Sequence, residues 1–301
     1  MTLRRNILIF HQAALGDFIM TWPLALGLGR VLAQSRLFYI TGAQKGALAE
    51  RALRVESVDV ENGWHQLFSA EPNLPEPAER LLRGGQWIIN FVAGENDTWL
   101  KNVREIAPEA KIVSLQLKPP EDSNLHVTEF MLQQLATQPI AKAALEQMLK
   151  SVAARGLGIT GVPDGPVLIH PGSGSDAKCW PLDRFIELAR SLQSRGRTVQ
   201  FVLGEVELER WPADNVRTLK ATADVSMPTS LVSLLETISK SLSFVGNDSG
   251  PGHLSAILGI PTISIFGPRV DTRWRPLGPN VHMVRGEWDA ITVSSVMKLL
   301  P

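Results

Sequence analysis

The segment from Phe244 to Pro268 constrains the fold most strongly, because it places patterns for a strand, a turn, a helix and a second strand in direct succession. An apolar run ends at Val245, polar turn residues follow, and helix-like sequence continues to Leu258 before Gly259 and Pro261 stop it. Strands that alternate with helices predict a parallel sheet, whose ligands bind at the carboxyl ends of its strands. The polar residues after Val245 are therefore predicted to lie at a ligand-binding edge, where the amide groups of a helix start favour an anion.

The same alternation runs through the whole chain and predicts two α/β halves. In the first half, a strand at residues 7–10 leads into a loop at 11–17 and a helix at 18–32. Further strands are predicted at 37–40, 87–92, 111–115, 167–170, 198–203, 242–245 and 262–266, and further helices at 44–53, 127–135, 140–154, 182–194, 230–239 and 252–258. A glycine- and proline-rich segment from Arg155 to Pro166 separates the two series, so we predict two domains, residues 1–157 and 158–301.

Composition excludes several classes of protein. Thirty basic and thirty acidic residues cancel, so no global field attracts nucleic acid, and no nucleic-acid partner is expected. The single cysteine, Cys179, leaves no intramolecular disulfide and no cysteine-based zinc cluster, which is typical of a reducing compartment. No apolar run is long enough for a signal peptide or a membrane span, and a cytoplasmic location is therefore expected.

The first loop at a predicted strand end runs from His11 to Asp17. Gly16 permits a tight turn there, and Asp17 stands at the start of the next helix. Two interpretations remain open for Asp17: an N-cap of that helix, or a general base that takes a proton from a sugar hydroxyl. His11 is a weaker candidate base, because a histidine at a strand end is more often a satisfied structural residue.

The second and third loops carry candidate ligands for an anion and for a sugar hydroxyl. Residues 170–181 combine small residues, among them Ser173, with the cation of Lys178, although the spacing is not that of a P-loop. Residues 202–210 bring acidic side chains to the end of a strand, where Glu207, or as a second choice Glu205, would accept from ribose hydroxyls. A plain loop and ordinary helix-dipole partners are the structural alternatives.

The fourth loop belongs to the segment first described. Asp248, Ser249 and Gly250 precede a helix whose free amide groups would bind a phosphate, and His253 would face the same pocket. The structural alternative is that Asp248 only caps the helix and His253 lies on its buried face.

Together, these four loops resemble the motifs of glycosyltransferase family 9, the family of the ADP-heptose:lipopolysaccharide heptosyltransferases. The resemblance extends from about Ile7 to Pro268, with the motifs in the family's order. The motif residues are Leu15–Asp17, His170–Ser175 with Lys178–Pro181, Leu203–Glu207, and Gly246–His253 with Phe266–Pro268.

This resemblance implies a GT-B architecture, in which two Rossmann-like domains with parallel sheets face a central cleft. The N-terminal domain would bind the acceptor and the C-terminal domain the nucleotide sugar. The implied reaction is an inverting, metal-independent transfer of heptose from ADP-heptose to a lipopolysaccharide core acceptor, without a cofactor.

The family's functional positions fall on particular residues of this sequence. Asp17 matches the catalytic base, and Lys178 matches the lysine that contacts the diphosphate. The other expected donor contacts are Ser173, Glu207, Asp248, Ser249, Gly250 and His253. Cys179 stands where the family usually has a basic residue, so Arg269 or Arg273 is the candidate replacement for that charge.

Three other functions remain alternatives. A transferase of the same fold could use another nucleotide sugar and another surface glycan, and a non-catalytic protein could bind a nucleotide sugar without turnover. A nicotinamide-dependent oxidoreductase is disfavoured because the first loop lacks the spacing G-x-G-x-x-G, Gly16 being its only glycine.

The resemblance also implies a lipid-linked glycan as the acceptor. Contact with the inner face of the cytoplasmic membrane is therefore expected, and the protein is separately expected to be a monomer. Candidate surface residues for that contact are Arg80, Arg83, Trp64 and Trp99, although such residues are more often scattered surface positions without a shared role.

Overall fold

The computed structural model describes residues 5–268 and 271–301. The chain divides into two compact units, Met1–Leu149 and Lys150–Pro301, which we call the first and the second unit. Arg269, one of the two candidate replacements for the missing charge, lies outside the described residues.

The division between the units falls inside the helix Pro139–Arg155, earlier than the boundary between residues 157 and 158 that composition predicts. The glycine-rich segment after this helix packs within the second unit. There the Leu157 amide donates a hydrogen bond to the Ile257 carbonyl at 2.8 Å. The segment is thus a structural part of the second unit, although its composition is that of a linker.

The described residues of the first unit form a parallel sheet of five strands in the order β3-β2-β1-β4-β5. The strands are β1 (Asn6–Phe10), β2 (Arg36–Thr41), β3 (Glu56–Asp59), β4 (Gly85–Asn90) and β5 (Lys111–Ser114). Strand order reverses between β1 and β4, so the crevice outside their carboxyl ends is the topological switch point.

The first unit contains the helices predicted from the sequence and others that were not predicted. They are α1 (Leu15–Met20), α2 (Trp22–Val31), α3 (Ala43–Leu53), α4 (Glu76–Arg83), α5 (Thr98–Ile106), α6 (Val127–Gln134) and α7 (Pro139–Arg155). The prediction of one continuous helix at 18–32 is wrong, because the chain breaks at Thr21 between α1 and α2. Pro23 causes the break, since proline lacks an amide hydrogen and its ring clashes with the preceding turn.

Tryptophans that the sequence suggested for a membrane-facing surface are part of the core instead. Trp64 and Trp99 are each 1% exposed, and both pack edge-on against Phe10 at ring distances of 5.2 and 5.0 Å. Arg80 and Arg83 are exposed on α4 and form ion pairs with glutamates one helical turn earlier. The aromatic part of the proposed membrane contact is therefore wrong.

The described residues of the second unit form a parallel sheet of six strands in the order β11-β10-β9-β6-β7-β8. The strands are β6 (Val167–His170), β7 (Val199–Val202), β8 (Asp224–Ser226), β9 (Ser243–Asn247), β10 (Thr262–Phe266) and β11 (Val281–Arg285). The helices are α8 (Leu182–Gln193), α9 (Glu205–Arg210), α10 (Ala213–Thr222), α11 (Leu231–Ser239), α12 (Gly250–Leu258) and α13 (Val293–Met297).

Strand order in the second unit reverses between β6 and β9. The register pairs His170 at the end of β6 with Gly246 near the end of β9. The two loops that leave these strands therefore flank the switch point of the sheet, where ligands of open α/β sheets bind. These are the loops that the sequence assigned to an anion.

Candidate functional site

A charged cluster occupies the switch point of the second unit. The Lys178 Nζ atom lies 2.9 Å from Oδ2 of Asp248, and the His253 Nε2 atom lies 3.6 Å from Oδ1 of the same carboxylate. Asp248 and His253 are buried, whereas the Lys178 side chain is 43% exposed. An incoming anion can therefore reach the Lys178 ammonium group, which the Asp248 carboxylate holds in place.

The pKa of Asp248 is lowered from its ordinary value by this cluster. Burial raises the pKa of the carboxyl, but hydrogen bonds and charge from His253 and Lys178 lower it further than burial raises it. Asp248 is consequently ionised at neutral pH. Its carboxylate positions the cation and the imidazole and does not cap the helix, contrary to the structural alternative considered for this residue.

The N-cap of α12 is Ser249, one residue later than Asp248. The Ser249 hydroxyl oxygen is buried and makes no hydrogen bond within the described part of the chain, and it does not cap the helix. The helix then begins at Gly250, whose amide group is one of the unpaired donors of a first turn. Ser249 and Gly250 thus bring an unpaired hydroxyl and a helix-start amide directly after Asp248 in the chain, a combination that suits phosphate oxygens.

Asn247, which the sequence pattern indicates only as a turn residue, links the two loops of the switch point. Its Nδ2 atom donates to the Pro171 carbonyl at 2.8 Å, and its Oδ1 atom accepts from the Trp180 amide at 2.9 Å. The Ser173 hydroxyl donates to the Asp248 carbonyl at 2.7 Å, which adds a third link. Ser173 is therefore placed at the cluster, with its hydrogen already engaged.

Glu207 is buried against the loop that follows β6. Its Oε2 atom accepts the Gly204 amide at 2.7 Å, and its Oε1 atom lies 4.0 Å from Nε2 of His170. The carboxylate fills the space over Gly172, where an added Cβ would come within 1.8 Å of Oε1. Glu205, the second choice, is exposed at the start of α9, so only Glu207 lies against the candidate site.

The positive charge that Cys179 lacks has a candidate source in Arg273. Burial raises the pKa of the Cys179 thiol to about 11, so this side chain is a neutral thiol. The Arg273 Nε atom donates to both carboxylate oxygens of Asp271, at 2.9 and 2.8 Å. The pKa of Asp271 is lowered by the hydrogen bond from Arg273 and, in smaller part, by the charge of Lys178.

The first unit presents Asp17 on α1, at the carboxyl end of β1. Asp17 is the third residue of that helix, and the N-cap is Ala14, so the interpretation of Asp17 as an N-cap is wrong. A neighbour missed by sequence reasoning is Lys45 of α3, whose Nζ atom donates to the carbonyls of Ala13 at 2.7 Å and Gln12 at 3.2 Å. Burial lowers the pKa of Lys45, and the charge of Asp17 opposes that shift.

His11 is buried beneath this loop. Its ring lies 5.3 Å from the ring of Phe18, and neither of its nitrogen atoms has a hydrogen-bond partner among the described residues. Burial, and in smaller part the charge of Lys45, lowers the pKa of His11 to about 3. The imidazole is therefore neutral and enclosed, which leaves Asp17 as the better placed candidate base of the two.

Within the described residues there is neither a metal-ligand group nor a membrane-spanning helix. No group of three or more histidine, cysteine or acidic side chains in that part of the chain is placed to hold a metal ion. Likewise, no helix there is both long enough and apolar enough to cross a membrane.

Two α/β units, each with a parallel sheet and a switch point, define a GT-B protein, as the resemblance implied. The chain belongs to glycosyltransferase family 9 (heptosyltransferase), whose family model matches residues 122–299. That range contains three of the four motifs on which the resemblance rests.

Similarity to individual proteins agrees with this membership. The chain is 29% identical over 192 residues to lipopolysaccharide heptosyltransferase 3 of Escherichia coli K12, covering 62% of this chain and 53% of that protein. It therefore spans about half the length of this curated relative.

Solved structures share the fold along nearly the whole chain. The E. coli heptosyltransferase WaaC with ADP matches with a TM-score of 0.66 at 16% identity, covering 97% of this chain and 98% of that one. A family 9 glycosyltransferase from Veillonella parvula matches with a TM-score of 0.68 at 18% identity, covering 99% and 97%. At these identities the similarity shows the fold alone.

Proposed function

We propose that this protein is an inverting heptosyltransferase that moves heptose from ADP-heptose to a lipopolysaccharide core acceptor. The observation that carries the proposal is the cluster of Lys178, Asp248 and His253 beside the start of α12, at the switch point of the second unit. A partly exposed cation held by Asp248, and the free amides of the helix that begins two residues after Asp248, favour a diphosphate. Family membership and similarity to a lipopolysaccharide heptosyltransferase support the sugar and the acceptor class.

In the proposed reaction, the acceptor hydroxyl oxygen bonds to the anomeric carbon as the bond from that carbon to the diphosphate oxygen breaks. Asp17 takes the hydroxyl proton, and ADP leaves with the electron pair. Lys178 and the first amides of α12 stabilise the charge that develops on the diphosphate, so we assign this role to protein groups and not to a metal ion. The first unit thus supplies the base and the second unit binds the donor.

The remaining donor contacts have separate roles in this proposal. Ser249 donates its unpaired hydroxyl to a phosphate oxygen, and Ser173 keeps the Asp248 backbone in position. Glu207 supports the loop after β6, and its Oε1 atom, which lies 4.0 Å from Nε2 of His170, is the proposed acceptor for a ribose hydroxyl. The acceptor is a lipid-linked glycan, which the protein reaches as a monomer at the inner face of the cytoplasmic membrane.

The decisive experiment separates donor binding from chemistry with two variants. Asp17→Asn is expected to lower transfer by about 10²- to 10⁴-fold, the usual effect of losing a general base, and to leave ADP affinity in calorimetry unchanged. Lys178→Met removes a charged contact and is expected to weaken ADP binding about tenfold to a hundredfold. Asp122→Asn and Lys220→Met, which change exposed residues elsewhere in the two units, are the matched controls.

Near-normal transfer by the Asp17→Asn variant would refute the assignment of the base. Unchanged ADP affinity after Lys178→Met would refute the diphosphate site. A panel of nucleotide sugars then tests the identity of the donor. Faster turnover with another sugar would make that sugar the donor instead of heptose. No turnover with any donor would indicate a protein that binds a nucleotide sugar without catalysis.

A further inference from the structure

The first unit contains a cavity of about 300 Å³ at the carboxyl ends of β4 and β5. Its walls are the loop from Phe91 to Glu95, the residues from Ser114 to Gln116, and Gln134 of α6. The volume is at the lower end of the range for small-ligand pockets, so it would hold a single compact ring system. Neither the donor cluster nor the candidate base belongs to it.

The position of this cavity relates it to the candidate base. Strand β4 pairs directly with β1, and the ring of Phe91, which follows β4, lies 5.9 Å from the ring of His11, which follows β1. The cavity and the loop that leads to Asp17 therefore belong to the same edge of one sheet. The β1–β4 switch point, where open α/β sheets bind ligands, lies between them.

Two amide side chains fix the walls of the cavity. The fully buried Asn90 accepts the Val92 and Ala93 amides at 2.9 and 3.0 Å and donates to the Ser114 hydroxyl at 2.9 Å. Gln134 pairs with the backbone of Gln116, accepting its amide at 2.7 Å and donating to its carbonyl at 2.9 Å. Because hydrogen bonds within the chain hold these walls, binding would require little reordering.

The chemistry of the lining suits a neutral sugar. The side chains of Glu95 and Gln116 make no hydrogen bonds within the described part of the chain, so they can accept from and donate to ring hydroxyls. Phe91, Val92 and Leu115 supply an apolar wall for the carbon face of a sugar ring. Glu95 is the one ionisable residue among those that line the cavity, so an anionic ligand would meet a carboxylate with no cation beside it.

We propose that this cavity is the subsite for a neutral sugar unit of the acceptor, adjacent to the sugar whose hydroxyl attacks. The inference rests on the proposed function, because an acceptor glycan would extend from Asp17 along this edge of the first unit. It assigns two specificity-determining residues: Glu95 selects against acidic sugars, and Gln116 holds a ring hydroxyl.

The test measures sugar binding without turnover. Saturation-transfer NMR on the full chain would compare the methyl glycosides of glucose, galactose and mannose with glucuronate and glucose 6-phosphate. A neutral glycoside is expected to give a signal that the two anions do not, and Glu95→Gln or Gln116→Ala is expected to lower its affinity at least fivefold. The matched controls are Glu109→Gln, at the opposite end of β5, and Gln133→Ala, beside Gln134 and outside the lining.

The outcomes separate this inference from the proposed function. Equal signals from neutral and anionic sugars, no signal from any sugar, or equal losses in the control variants would overturn the subsite. In transfer assays, the Gln116→Ala variant should raise the acceptor KM at least fivefold with kcat and ADP affinity unchanged. If transfer proceeds with ADP-heptose but these variants leave the acceptor KM unchanged, the subsite is refuted while the proposed function stands.

Discussion

Gly172 offers a direct test of the placement of Glu207. The residue lies in the loop after β6, and a Cβ added there would come within 1.8 Å of Oε1 and 2.4 Å of Cδ of Glu207. Gly172 does not have a positive φ, so alanine itself would fit the backbone without strain. The Gly172→Ala substitution therefore acts through the carboxylate, which must leave its position.

The cost follows from what holds that carboxylate in place. Glu207 is 3% exposed, and its Oε2 atom accepts the Gly204 amide at 2.7 Å. Overpacking a filled site costs about 1–3 kcal/mol, and loss of a charge-assisted hydrogen bond costs about 1.5–3 kcal/mol. Because the two effects share one side chain they do not add fully, and we expect a loss of about 2–4 kcal/mol in the free energy of unfolding.

Gly174 in the same loop provides the matched control. A Cβ at that position meets no atom within 4 Å, and its φ is not positive. Gly174→Ala should therefore keep or slightly raise stability, by at most about 0.4–1 kcal/mol, because the unfolded chain becomes less flexible. Urea unfolding of both variants, with calorimetry of ADP binding on the same samples, measures the difference.

Equal stability of the two alanine variants would refute the placement of Glu207 against Gly172. ADP binding adds a second criterion for the proposed donor contact. If Glu207 contacts the nucleotide, Gly172→Ala must weaken ADP binding more than Gly174→Ala does. A destabilised variant with unchanged ADP affinity would leave Glu207 with a structural role alone.

Two further predictions concern buried polar groups. Ser249→Ala removes a buried hydroxyl without a partner among the described residues, so the free energy of unfolding should rise by about 1 kcal/mol. The affinity for ADP should fall about two- to tenfold in the same variant. A loss of stability would contradict this prediction. For His11, burial lowers the pKa to about 3 from about 6.5 in the unfolded chain, so the unfolded state binds more protons between these values. The contribution of the neutral His11 to the free energy of unfolding should therefore be fully present above pH 6.5 and fall by up to about 1.4 kcal/mol per pH unit toward pH 3. Urea titrations at several pH values measure this slope, and His11→Phe should flatten it. Parallel slopes for the two proteins would contradict the prediction.

Much of the fold was predictable because its signals are local. The strands β6, β9 and β10 have short apolar runs, and glycine and proline end α12 where the pattern indicated. The strands β3, β8 and β11 were missed, since edge strands are half exposed and lack a continuous apolar run.

The effect of a proline on a helix depends on its position, which the sequence pattern did not reveal at two sites. The prolines in residues 69–77 indicate a loop, yet Pro75 and Pro77 stand at the start of α4. Proline fits a first helical turn, where its missing amide hydrogen costs nothing. Pro23 has the opposite effect. The apolar pattern around it predicts one continuous helix, but the clash of the proline ring with the preceding turn ends α1.

At the candidate site, the sequence identified some of the functional side chains but not their contacts with distant residues. Residues Lys178 and Asp248 were each identified from their loops, but Asn247 and Lys45 were missed. The role of Asn247 depends on contacts with Pro171 and Trp180, and that of Lys45 on the carbonyls that follow His11. No local pattern predicts a hydrogen bond to a backbone group that lies far away in the sequence.

The sequence by itself determined that the chain forms two α/β halves and which polar residues follow their strands. The periodicity of apolar residues, the residues that form turns and the caps of helices depend on neighbours along the chain, so one sequence is enough to predict them. Only the tertiary structure decided that Lys178 bonds to Asp248 across 70 residues, that Glu207 covers Gly172, and that Trp64 is core. These outcomes depend on strand order and burial, which bring distant segments together and are set by the whole domain.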